Sequence, residues 1–421
     1  MSPIPPRDFL KSLFFEAVNA ADPLTCIIAH LPEKPKGRTV VIGAGKGAAQ
    51  MARALESVWD GPLEGVVVTR YGYGCETRNI EIIEAAHPVP DAAGLAAGRR
   101  LMQAIGELGE DDLVIALICG GGSALLPSPP PGLTLEDEIA LNEMLLASGA
   151  PISAMNVVRK HLSTIKGGRL AAMTRAMVAS LIVSDIPGDN PAHVASGPTV
   201  ADGSTRHDAL DIVRQYGLKL PQAATDHLNS PAADAPRPDD PVFARHTHHI
   251  IASAGVSLEA AARLARANGI EAAILSDSME GEARDVASVH AAIAREIGTR
   301  DRPFAKPVVL LSGGETTVTI KAKGGRGGRN GEFALAAAIA LDGHAVHLLA
   351  ADTDGIDGSE DNAGAFADGA SVRRLRAAGL DPRRLLDGND SYTGFAAIGD
   401  LFETGPTGTN VNDFRAILIT R

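Results

Sequence analysis

The residues best equipped for chemistry follow directly after short β-branched, apolar runs. At 40–49 the chain reads VVIGAGKGAA. Val40, Val41 and Ile42 predict a strand, and the glycines after them a tight turn. From Ala48 onward, Met51, Leu55 and Val58 recur at helical spacing. Glycines at such a turn let backbone approach a ligand, and the first amides of the next helix favour an anion. Gly45 and Lys46 are therefore candidates for holding a phosphate. Gly43-x-Gly45-x-x-Ala48 meets the relaxed dinucleotide fingerprint, but the next strand, 65–70, ends in Arg70, where NAD readers carry an acid. NAD is disfavoured, while an arginine there suits the 2′-phosphate of NADP. The Walker phosphate-binding pattern is also unmet, because Gly-Ala-Gly-Lys-Gly lacks both its spacing and its Ser or Thr.

Five further groups share this placement. The continuous apolar run 113–118 reads as a strand buried on both faces, and it empties into Cys119-Gly120-Gly121-Gly122-Ser123. Three glycines and a hydroxyl make a nest of backbone amides, a second anion site. His87 ends the strand 80–85, where ligands collect in parallel sheets. The strand 178–183 delivers Asp185 and Asp189 on a Pro-Gly loop, two carboxylates suited to Mg²⁺ or to accepting a hydroxyl proton, although turns favour the same residues. The segment 153–173 predicts one long helix that puts Arg159 and Lys166 on one face, with a glycine pair after Lys166. In the second half, the strand 308–311 leads into Ser312-Gly313-Gly314-Glu315. The glycine and basic run from Lys323 brings Arg329 and Asn330 to the start of an apolar helix, an anion clamp by pattern. The strand 347–350 then delivers Asp352, Asp354 and Asp357; without a distal glutamate this is not an EF-hand. His246, His248 and His249 are poorly spaced for a metal.

Positioning these groups takes an α/β chain. At 421 residues two domains are expected, and the proline-rich polar stretch 232–241 places the boundary between 1–235 and 236–421. The helix expected over 7–19 should pack against the domain that follows it. Each half runs through a small-Gly turn, a Gly-Gly turn and an acidic turn in the same order, a hint of two similar domains whose strand ends share a cleft. A net charge of −12 argues against nucleic acid as a partner. Three cysteines without CxxC spacing, a start without leader-like order at Met1 to Arg7 and no apolar run of membrane length point to a cytoplasmic protein with no membrane partner.

Taken together, the motifs resemble the class II glycerate 2-kinases, whose C-terminal half is called the MOFRL domain and whose members are often labelled hydroxypyruvate reductases. The matching stretches are GAGKGA at 43–48, HPVPD at 87–91, CGGGSALL at 119–126, RKHLSTIKGGRLA at 159–171, SDIPGD at 184–189 and SGPT at 196–199. SGGETTVT at 312–319, GGRNGE at 327–332, DTDGIDG at 352–358 and TGPTGTNVND at 404–413 follow in the second half. Gly331 departs from the pattern, which usually has glutamine there. The resemblance implies two Rossmann-like α/β domains with an interdomain active-site cleft. It also implies transfer of the ATP γ-phosphoryl group to the C2 hydroxyl of D-glycerate with Mg²⁺, and active-site roles for Lys46 and Arg329.

On this reading Asp189 is the base or a Mg²⁺ ligand, and Asp354 a second metal candidate. Gly45, Gly120, Gly121, Gly122, Ser123, Lys166, Gly313, Gly314, Glu315 and Asn330 are expected to contact substrate or nucleotide, and a homo-oligomer is allowed. The rival reading is an NADPH-dependent hydroxypyruvate reductase, against which stands the lack of a histidine acid paired with a carboxylate. A non-catalytic sugar-phosphate sensor would need the glycine nests but not the acidic loops.

Overall fold

The computed structural model describes residues 4–320 and 324–420. Met1 to Pro3 of the N-terminal stretch and Lys323 of the basic run lie outside the described residues. The chain forms two compact units, one of Pro23–Ile251 and one of the described parts of Met1–Asp22 and Ala252–Arg421.

The unit Pro23–Ile251 is built on a six-stranded sheet: β1 Thr39–Ala44, β2 Glu64–Arg70, β3 Ile80–Ala85, β4 Leu113–Cys119, β5 Met177–Val183 and β6 Thr247–Ala252. Its order is β3-β2-β1-β4-β5-β6, with β1, β2, β3, β4 and β5 paired in parallel. This is the Rossmann strand order, and it reverses between β1 and β4, where the loops leaving the strand ends part and leave room for a ligand. Every residue of β1 and β4 is buried, so both read as unbroken apolar runs rather than as alternating strands. Helices Ala48–Val58 and Ala92–Ile105 pack on this sheet, the second capped by Asp91, which accepts from the Gly94 amide at 3.0 Å.

The stretch 153–173 is not one helix. A first helix, Ile152–His161, stops at Leu162, and a second, Arg169–Ala172, starts only after Gly167 and Gly168 turn the chain at φ 63° and 81°. Arg159 and Lys166 therefore share no helix face. The glycine pair reverses the backbone, a conformation open to glycine at little cost.

The second unit carries β7 Glu271–Glu282, β8 Val308–Thr317, β9 Val346–Asp352, β10 Gly364–Asp368, β11 Leu401–Phe402 and β12 Asp413–Ile419, in the order β11-β10-β9-β12-β8-β7. Strands β7 and β8 pair in parallel, whereas β12 runs antiparallel to both of its neighbours, so the echo between the two halves does not extend to strand direction. Ser312 to Glu315 do not form a loop. They continue β8, with Gly313 opposite Phe414 and Gly314 opposite both Asp413 and Met279. A side chain at Gly314 would start 2.2 Å from the Met279 amide, so the glycine marks a close crossing of strands rather than a ligand turn.

The helix Pro6–Asn19 belongs to this unit and not to the sheet that follows it in sequence. Phe14 meets Phe402 and Phe414 edge to face, with ring centroids 4.9 and 5.8 Å apart. Residues 236–251, expected to open the second domain, belong instead to the first unit, where β6 lies beside β5.

Candidate functional site

In the first unit, the turns after β1, β3, β4 and β5 converge at the point where strand order reverses. Gly45, at φ 134°, is pressed against the end of β4, and a side chain there would begin 2.4 Å from the carbonyl oxygen and the sulfur of Cys119. The Lys46 amide donates to the Gly120 carbonyl at 2.9 Å, and the Gly47 amide donates to Cys119 Sγ at 3.1 Å. Thr69 Oγ1 donates to the Lys46 carbonyl at 3.1 Å. The backbone of Lys46 is thus held from both neighbouring strands. Its ammonium has no carboxylate within 4.0 Å among the described residues. Burial pushes the Cys119 thiol up to about 12, so this cysteine acts as a neutral prop for the turn and not as a nucleophile.

Gly120, Gly121, Gly122 and Ser123 form the floor. Gly121 takes φ 78° as the residue before a one-turn helix, Gly122–Leu125. A side chain at Gly120 would begin 1.9 Å from Asp185 Oδ2, and one at Gly122 2.7 Å from the Ala195 methyl, so the loops after β4 and β5 lie in contact. Ser123 Oγ and Ser196 Oγ are 2.9 Å apart, and Ser196 donates to Asn156 Oδ1 at 3.3 Å. Asp189, Ala195 and Ser196 all carry positive φ, at 50°, 51° and 61°. Non-glycine residues hold that conformation only at a cost of order 1–3 kcal/mol each, and such outliers cluster at ligand sites. No hydrogen bond or ion pair ties the Asp189 carboxylate among the described residues.

Lys166 stands apart from this floor. It is buried and its ammonium donates to Glu138 Oε1 at 2.7 Å, while Glu138 Oε2 accepts from the Ser128 amide at 3.0 Å. The lysine neutralises a buried carboxylate within the fold.

In the second unit, Arg329 is the first residue of the helix Arg329–Ala340. Its guanidinium is shared among three carboxylates: Nε donates to Asp413 at 2.7 Å, one terminal nitrogen to Glu315 at 2.8 Å and the other to Asp352 at 2.7 Å. Burial opposes its charge, but Asp413, Asp352 and Glu315 outweigh that and hold its ionisation above the ordinary arginine range. The amides at the helix start are filled as well. Asp357 accepts from the Asn330 amide at 2.9 Å and from the Gly331 amide at 2.8 Å, and burial raises its carboxyl to about 6. Asn330 Nδ2 donates to Asp413 at 2.8 Å. The pattern that predicts an open anion clamp has become a closed acid–base cluster. Asp413 and the fully buried Arg415, which bonds it, were not singled out from sequence; the only signal is the position of Asp413 at the end of the TGTNVND stretch. A side chain at Gly331 would begin 2.5 Å from Ser391 Oγ, so this chain has packed a serine where a larger residue would lie.

Asp352 is raised well above the usual carboxylate range, first by burial and then by the charge of Asp354. Asp354 accepts from the Ile356 amide at 2.8 Å and from Asn410 at 3.4 Å. Among the described residues, no group of three or more His, Cys, Asp or Glu is arranged to hold a metal ion.

The first unit is a doubly wound α/β domain with a lysine turn and a glycine floor at the switch point, the place where ligands bind in sheets of this class. Comparison with known proteins narrows the class. Residues 9–229 match a domain of unknown function, DUF4147, and residues 308–413 match the MOFRL family. A glycerate 2-kinase of Pyrococcus horikoshii is 41% identical over 433 residues, 98% of this chain and 97% of its own. The crystal structure of a glycerate kinase from Thermotoga maritima aligns with a TM-score of 0.90 at 39% identity, over 98% of this chain and 99% of that one. An Agrobacterium vitis protein with a provisional hydroxypyruvate reductase name is 50% identical over 417 residues, 98% of this chain and 94% of its own. The chain belongs to the class II glycerate 2-kinase family that carries the MOFRL domain.

Proposed function

We propose that the chain transfers the γ-phosphoryl group of ATP to the C2 hydroxyl of D-glycerate, giving 2-phospho-D-glycerate and ADP. The observation that carries this reading is the Lys46 side chain against the Gly121 turn, its ammonium without a carboxylate within 4.0 Å among the described residues, in a chain that matches named glycerate kinases over nearly its whole length. Phosphoryl transfer asks a protein mainly for positioning and for positive charge around the equatorial oxygens. Lys46, its backbone held by Thr69 of β2 and by Gly120 after β4, supplies that charge at the β1 turn. The Asp189 carboxylate, without a hydrogen bond or ion pair among the described residues, accepts the C2 hydroxyl proton as that oxygen bonds to phosphorus and the bond to the ADP oxygen breaks. Arg329 is an active-site candidate by resemblance; its role here is to organise Asp352, Asp413 and Glu315.

Mg²⁺ usually takes one or two protein carboxylates and draws its remaining ligands from phosphate oxygens and water. Asp354 would fit that mode, and Asp189 would fit it in place of its role as base, since no multi-carboxylate cage is needed. When bound with ATP, the ion neutralises charge on the phosphates.

The test is purified protein with D-glycerate, ATP and Mg²⁺, following ADP release and identifying the phosphoglycerate isomer, with hydroxypyruvate and NADPH in a parallel assay. ADP with the 2-phospho product is expected. NADPH oxidation without ADP would overturn the kinase and make the β1 turn a dinucleotide site.

A further inference from the structure

The transfer chemistry above makes no use of His87, at the end of the β3 segment. Its Nε2 lies 3.0 Å from the point where a β-carbon of Gly121 would sit, and Cγ and Cε of Lys46 lie 3.1 Å from the same point. The imidazole and the lysine therefore rest on one side of the same glycine. The ring is half-buried, and neither of its nitrogens has a hydrogen-bond partner among the described residues. The charged groups facing it are Lys46, from the β1 turn, and Arg70, from the end of β2. Arg70 lies over the Tyr73 ring, its guanidinium carbon 3.7 Å from the centroid, and like Lys46 it has no carboxylate within 4.0 Å among the described residues. Lys46 and an imidazole with no hydrogen-bond partner among the described residues thus meet at one glycine turn, and Arg70 pairs with Ala85, two residues before His87, in a molecule of net charge −12. Cations left without counter-charge in an acidic protein are placed for an anionic guest.

We propose that His87, Lys46 and Arg70 form one oxyanion subsite on the Gly121 turn, taking a carboxylate or a phosphate of the substrates, with His87 donating a ring N–H to it. The subsite rests on the kinase reading only for the identity of that anion. Burial, Lys46 and Arg70 hold the free imidazole down to about 4, so it is neutral near pH 7 and has one N–H to give. A bound anion offsets both cations, so binding raises the imidazole pKa.

The experiment titrates inorganic phosphate, D-glycerate and MgADP separately into the wild-type chain, His87→Gln and His87→Ala. Affinity is read by calorimetry and the His87 ring by NMR, its signal assigned as the one missing from both variants. Phosphate is expected to move the His87 signal and raise its pKa. His87→Ala should lose roughly tenfold in affinity for phosphate and for one of the two substrates, while His87→Gln, which keeps an N–H donor, should stay within about threefold of wild type. Loss confined to D-glycerate assigns the guest as its carboxylate, and loss confined to MgADP as the nucleotide phosphate. An unmoved His87 signal with unchanged affinities in His87→Ala overturns the subsite. So does equal weakening in both variants with a lowered unfolding midpoint, which marks a structural role. Because phosphate probes the subsite directly, a wild-type chain that fails to phosphorylate glycerate sinks the kinase reading without deciding this one.

Discussion

Lys46 and Arg329 are both cations that follow glycines at the approach to a helix, yet their surroundings are opposite. The Lys46 ammonium meets no acid among the described residues, whereas Arg329 spends its nitrogens on Asp413, Glu315 and Asp352. The strand, turn and helix that carry the first were legible in the sequence because they are contiguous, although the contacts from Thr69, Cys119 and Gly120 that hold the turn were not. The second was not, because its three carboxylates arrive from β8, β9 and β12, which no local pattern connects. Opposite mutational signatures follow. Lys46→Met should lower kcat/KM about a thousandfold, since a charge pair at 4 Å is worth ~4 kcal/mol at an effective dielectric of 20, and should leave the denaturation midpoint nearly unchanged. Arg329→Met strands two buried carboxylates and should cost ~3–5 kcal/mol of stability along with activity. Steady-state kinetics and urea denaturation of the two variants check this; a fully stable Arg329→Met would contradict the closed cluster.

The same contrast holds for elements. Strands β1 and β4 could be read from sequence because burial on both faces leaves unbroken apolar runs, and their glycine turns begin where the runs end. Ser312 to Glu315 look identical in sequence, but there the ladder continues and the glycines serve a strand crossing. Composition cannot separate those two uses of glycine. The helix Arg329–Ala340 shows another such ambiguity, since its first amides are capped by a carboxylate 26 or more residues away in sequence. That cap makes a pH prediction. Asp357 has its pKa raised, from 3.8 to about 6, chiefly by burial, so its protonated form is favoured in the folded state. Its contribution to stability is present below pH 3.8 and is lost as pH rises through about 6. A two-unit shift corresponds to roughly 3 kcal/mol. Relative to Asp357→Asn, which does not titrate, the wild-type chain should therefore lose ground between about pH 4 and pH 6. Denaturant midpoints of both proteins at pH 4.5 and 7.5 measure it, and a gap independent of pH would show that the cap bonds outweigh burial.

At the scale of the whole chain, sequence order and structural membership part company. Proline content placed the boundary near 235, but what assigns a segment to a unit is which apolar surface it covers. The helix Pro6–Asn19 buries Phe9, Leu10, Leu13, Phe14, Ala17 and Val18 in one cluster with Leu258, Val309, Leu349, Phe414 and Leu418, all from the second unit. The core of the first sheet, with Ile42, Val68, Ala116 and Ile182, is a separate cluster. An amphipathic helix announces in sequence that it has a partner, not which one. Phe14→Ala tests this division, because deleting a fully buried phenylalanine costs ~3–5 kcal/mol. Hydrogen exchange should show lost protection in β9 and β12, two of the three strands that supply the Arg329 carboxylates, while β1 and β4 around Lys46 keep theirs. Equal loss in both sheets would mean that the units unfold as one and that the N-terminal helix stabilises the entire chain.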